Sequence, residues 1–107
     1  MKIELLYFDG CPSWIATRAD TEAVLAERGL VDEITLINVP SNEEANERRF
    51  TGSPTLRIDG VDIDPDTPPG GSDDGFNMEC RLYWVDGKPS SLPPRAWIER
   101  AIDAVRT

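Results

Sequence analysis

The feature that most narrows the fold is a change of hydrophobic period across Asp9-Gly10-Cys11-Pro12. Before it, Ile3-Glu4-Leu5-Leu6-Tyr7-Phe8 carries β-favouring and apolar side chains on both faces, as a strand buried within a sheet does. After it, Ile15, Ala19, Ala23, Ala26 and Leu30 recur on one helical face, which Arg18, Asp20, Glu22 and Glu27 avoid. Gly29 suits the position just past the end of that helix. Glu33 to Val39 then reads as a second strand, stopped by Pro40. A strand, a helix and a strand in succession form a crossover connection, so the two strands are expected to pair in parallel.

Ser41-Asn42-Glu43-Glu44 has the form of a capping box, in which Ser41 and Glu44 satisfy each other's backbone donors, and opens a short polar helix reaching about Arg49. Thr51-Gly52-Ser53-Pro54 is turn-like and Thr55 to Ile58 a third strand. Asp59-Gly60 is a hairpin signal followed by a short Val61-Asp62-Ile63 strand. Residues 64–79 read as an irregular acidic loop rich in Asp, Pro and Gly, and a compact domain seldom carries a loop of that length without a role or some disorder. Cys80 to Val85 can form another strand, Asp86-Gly87-Lys88-Pro89 turns the chain, and a last helix opens near Pro93-Pro94. Its expected core stripe is Trp97, Ile98, Ala101, Ile102 and Val105. The expected architecture is one α/β domain over residues 1–107. Its order is β-α-β-α-β-β-α, with a mixed central sheet and helices on both faces.

Composition removes several function classes. A formal net charge of −9 argues against non-specific nucleic-acid binding and against docking on anionic membranes, both of which need clustered Lys and Arg. No apolar run approaches the length of a membrane span, and Glu4 and Asp9 interrupt any signal-peptide pattern, so a cytoplasmic setting is expected. The absence of histidine removes Cys-His and Ser-His catalysis and most zinc and copper sites. Asp62, Asp64, Asp66 and Asp73 echo calcium-loop spacing. Thr67 occupies the glycine position, however, Pro65 intrudes and the last ligand is Asp, so a solvated loop is preferred and no metal or cofactor is expected.

Cys11 is the leading candidate for chemistry. A cysteine between a strand and the N-terminus of a helix meets backbone N–H groups that favour thiolate, the nucleophilic form. A dithiol motif would place a second cysteine at position 14, where this chain has Trp14; the other cysteine is Cys80. In a reducing compartment two cysteines are expected to be free, catalytic or redox-sensing.

These residues resemble the thioredoxin-like superfamily over nearly the whole chain. The resemblance rests on the strand-turn-Cys11-Pro12 segment, the Gly52-Ser53-Pro54-Thr55 turn leading into a strand, and the order of elements. More narrowly, the chain resembles small bacterial thioredoxin-family proteins with a Tyr-Phe-x-Gly-Cys-Pro start and a later Cys-Arg-Leu-Tyr segment. These are matched here by Tyr7 to Pro12 and by Cys80-Arg81-Leu82-Tyr83. The resemblance implies that Pro54 is cis and faces Cys11, and that Ser53 offers free backbone groups to an extended substrate strand. It implies thiol–disulfide chemistry on a protein or low-molecular-weight thiol partner, with Cys11 as nucleophile and Cys80 or an external thiol resolving the mixed disulfide. Pro12, Ser13, Trp14, Ser53, Pro54 and Thr55 would line the substrate site.

Each residue also has a plainer reading. Cys11 could be a small packing residue, and Cys80 a buried structural cysteine. Ser13 is read first as a helix cap, and Trp14 as either a recognition surface or core. The alternative for the whole chain is a non-catalytic binding module using the same groove. Soft-metal or mercurial capture by Cys11 and Cys80 is a third possibility.

Overall fold

In a computed structural model, the chain is described for residues 1–50, 52–64 and 81–106. Nine elements follow in order: β1 Ile3–Tyr7, α1 Ser13–Glu27, β2 Ile34–Asn38, α2 Asn42–Glu47, β3 Thr55–Ile58, β4 Val61–Asp62, β5 Tyr83–Val85, β6 Lys88–Ser90 and α3 Arg95–Arg106. The central sheet has the order β2-β1-β3-β4. β1 pairs parallel with β2, Ile3 opposite Ile34 through Tyr7 opposite Asn38, as the crossover requires. It pairs antiparallel with β3, Ile3 opposite Ile58 and Leu6 opposite Thr55, and β3 in turn pairs antiparallel with β4. The sheet is mixed and the class is α/β.

Alternation along β1 divides the interior in two. Ile3 and Leu5 join Leu56, Ile58 and Ile63 in a cluster with Val24 and Leu25 of α1 and Ile98 and Ile102 of α3. Leu6 points the other way, into a smaller cluster with Val39, Ala45 of α2 and Phe50. Helices therefore cover both faces, α1 and α3 on one and α2 on the other. Half of the expected capping box forms: the Ser41 hydroxyl accepts from the Glu44 N–H at 3.2 Å, while the Glu44 carboxylate pairs with Arg48 at 3.4 Å.

Three expectations need correction. The core face of α1 is only in part the expected stripe of Ile15, Ala19, Ala23, Ala26 and Leu30: Leu30, just past the helix, packs against the larger cluster and Ala23 is half-buried. Ile15 is 57% exposed and Ala19 and Ala26 are also exposed, while Thr17, Thr21, Val24 and Leu25 are buried. The two threonines can face the core because their hydroxyls bond back along the helix, Thr17 to the Ser13 carbonyl at 3.3 Å and Thr21 to the Thr17 carbonyl at 2.8 Å. In α3, Ile98 and Ile102 are fully buried, but Val105 is exposed rather than part of the stripe.

The third correction concerns Asp86-Gly87-Lys88-Pro89. The turn is Asp86-Gly87 alone, with φ of 52° and 79°, and Lys88–Ser90 forms β6 against β5. The pair forms a two-stranded sheet apart from the central one. Two successive positive φ values describe the type I′ hairpin turn, and Asp59-Gly60 repeats it with 51° and 83°.

Candidate active site

The site begins where β1 hands over to α1. The Cys11 N–H donates to the Phe8 carbonyl at 3.3 Å, closing a tight turn through Asp9 and Gly10. A Cβ on Gly10 would sit 2.8 Å from the Phe8 ring, so a larger residue there would require that ring to move. The helix starts at Ser13, directly after the segment where the hydrophobic period changes. Pro12, at φ −76° and ψ −5°, is the capping residue and makes no side-chain capping bond. Ser13 is thus the first residue of the helix rather than its cap, because Pro12 already has the helical φ.

Cys11 is 2% exposed. Its sulfur donates to the Ser53 carbonyl oxygen at 3.5 Å, bringing together two segments far apart in the chain. The Ser53–Pro54 peptide bond is cis, and Gly52, Ser53, Pro54 and Thr55 are all buried. Trp14, in the first turn of α1, stacks on Tyr7 with ring centroids 4.3 Å apart and 27° between planes, and packs against the larger core cluster. Pro12 is exposed beside the buried sulfur. Of the residues predicted for the site, Cys11 and Ser53 are joined directly. Cys80 lies outside the described residues, as do Asp66 and Asp73.

The expectation that Ser53 offers free backbone groups is corrected at its carbonyl, which has a second partner. The Arg81 N–H donates to the same oxygen at 2.9 Å. The Ser53 hydroxyl is buried and has no hydrogen-bond partner among the described residues.

Arg81 is the residue that the sequence reading missed. Its side chain is 7% exposed, and its guanidinium reaches Asp62 at 2.7 and 3.2 Å, Asp64 at 3.4 Å and the Thr55 hydroxyl at 3.3 Å. It also lies 4.5 Å from the centre of the Tyr83 ring, in cation–π range. Burial opposes its charge, but its neighbours, the Asp62 and Asp64 carboxylates among them, outweigh that, holding its pKa above the ordinary arginine value. Asp62 and Asp64 are therefore partners of a buried cation, not members of a solvated loop, with Asp62 only 6% exposed. Tyr83 is completely buried and donates its hydroxyl proton to the Pro54 carbonyl. Burial raises its pKa above the ordinary phenol value, so it remains a donor across the physiological range. The available signal was a single basic residue between apolar ones at Cys80-Arg81-Leu82-Tyr83, downstream of two closely spaced aspartates.

A groove of about 470 Å³ between the C-terminal half of α1 and β2 is lined by neither Cys11 nor Pro54. No set of three or more His, Cys, Asp and Glu side chains suited to a metal occurs among the described residues, and no described helix is long and apolar enough to cross a membrane. In comparisons with known proteins, no family model, no curated protein and no solved structure matches the chain.

Proposed function

We propose that the chain is a thioredoxin-like protein in which Cys11 performs thiol–disulfide exchange with a protein or low-molecular-weight partner in a reducing, cytoplasmic setting. The observation that carries this reading is the seat of the sulfur: Cys11 Sγ lies 3.5 Å from the Ser53 carbonyl, between the end of β1 and the start of α1. The strand order β2-β1-β3-β4, with α1 and α3 on one face and α2 on the other, supports the same reading of the fold.

The chemistry needs the sulfur as thiolate. Cys11 gives up its proton to solvent and its hydrogen bond to Ser53, then attacks one sulfur of a disulfide R–S–S–R′. A bond forms between Cys11 Sγ and the sulfur carrying R as the original S–S bond breaks, and R′S⁻ leaves with the bonding pair. A thiolate from solution then attacks the R sulfur, takes R into a new disulfide and releases Cys11 as thiolate; attack by Cys80 on the Cys11 sulfur instead releases RS⁻ and leaves a Cys11–Cys80 disulfide, which two external thiols reduce as they are oxidised to a disulfide. Every step exchanges one disulfide for another. Because Cys11 is only 2% exposed, local opening around the sulfur must precede attack.

The test follows release of thiolate from a chromogenic aromatic disulfide by wild type, Cys11→Ser and Cys80→Ser. Wild type and Cys80→Ser should release it under native conditions, and Cys11→Ser should lose the fast phase seen in Cys80→Ser. Release that is unchanged by Cys11→Ser would remove the reading.

A second reading has its own support. The buried thiol and the occupied Ser53 carbonyl suit a non-catalytic binding module, which would keep its partner in Cys11→Ser.

A further inference from the structure

The polar cluster around Arg81 ends on one segment of the chain, residues 52–55. The Arg81 N–H bonds the Ser53 carbonyl and its guanidinium bonds the Thr55 hydroxyl. That hydroxyl passes its own proton to the Gly52 carbonyl at 2.6 Å, and Tyr83 bonds the Pro54 carbonyl. Each of the four residues of the turn is thereby tied, directly or through one hydroxyl, to Arg81 or Tyr83. The far side of the cluster is anchored by Asp62 at the end of β4 and by Asp64. The near side is the Ser53 oxygen that the Cys11 sulfur touches.

A buried ion pair adds little net stability, because desolvating the two charges offsets most of their attraction, but its directional bonds fix geometry. Here the fixed geometry is that of the turn over the sulfur. The guanidinium fork suits this task, since it can hold two carboxylates and a hydroxyl at once in one plane, which an ammonium cannot reproduce.

We infer that Arg81 and Tyr83 are positioning residues that hold the 52–55 turn closed over the Cys11 sulfur and so set how often that sulfur is uncovered. The inference rests on the reading of Cys11 as an exchange thiol for its biological meaning, but the closure itself is measurable without any exchange.

The experiment measures the rate at which iodoacetamide alkylates Cys11 in the full chain, located by peptide mapping, in wild type, Arg81→Met, Tyr83→Phe and Ile102→Ala. Ile102 is a core residue of α3 outside the polar cluster and gives the effect of general destabilisation. Tyr83→Phe removes a single hydroxyl, so it remains informative if Arg81→Met does not fold. Tyr83→Phe should alkylate faster than wild type by about tenfold, the size expected when one buried hydrogen bond holding a closed state is lost. Arg81→Met should exceed it. Ile102→Ala should show a smaller increase for an equal or greater fall in melting temperature. The inference is overturned if Tyr83→Phe alkylates at the wild-type rate, or if all variants fall on one line of rate against melting temperature. Wild-type exchange with the aromatic disulfide is scored separately: its failure removes the exchange reading and leaves the alkylation result to decide closure.

Discussion

Arg81 and Tyr83 show how much of this site depends on single side chains. Tyr83 is completely buried and keeps its proton in the folded chain at pH values where an unfolded chain ionises, from about pH 10 upward. Above that pH the unfolded state binds fewer protons than the folded state, so stability falls as pH rises. Chemical denaturation between pH 8 and about pH 11 should show this decline in wild type and a flatter profile in Tyr83→Phe. Equal slopes would mean that the phenol does not titrate differently in the two states. At this scale the sequence was readable in part. Cys11, Ser53 and Pro54 stand out through residue type and turn chemistry, which are local properties. Arg81 does not, because a buried cation is recognisable only with its counter-charges, and Asp62 and Asp64 come from a different stretch of chain. Lacking that pairing, the aspartates read as solvated.

The elements illustrate a second limit. Hydrophobic period located α1 but placed its core face only in part, since it counts threonine as polar. Thr17 and Thr21 satisfy their hydroxyls within the helix and are buried, while Ile15 faces solvent. The two faces can be separated by stability. Ile15→Ala should change unfolding free energy by no more than about 0.5 kcal/mol, as surface substitutions do. Leu25→Ala, which empties a buried site, should lose about 2–5 kcal/mol. Comparable losses at both positions would restore the original stripe. The β5–β6 hairpin was half legible for a related reason. Asp86-Gly87 announced a turn, but Pro89 argued against a strand that in fact stands apart from the central sheet, where a missing N–H is tolerated.

At the scale of the whole molecule, chain order carried most of the architecture. Strand–helix–strand dictates parallel pairing of β1 with β2, and the Asp59-Gly60 turn dictates the antiparallel β3–β4 edge; both are present. What chain order does not supply is the meeting of the Cys11 turn with the 52–55 turn at the ends of neighbouring strands β1 and β3. That meeting carries the proposed chemistry, and it is best tested on the sulfur itself. The folded protein would be equilibrated with mixtures of reduced and oxidised glutathione, quenched with acid and read by intact mass and peptide mapping. Cys11 should enter a disulfide, with glutathione or with Cys80, and added reduced glutathione should return it to the thiol. A Cys11 that remains an unmodified thiol in oxidised glutathione, while the protein stays folded, would contradict the proposed chemistry.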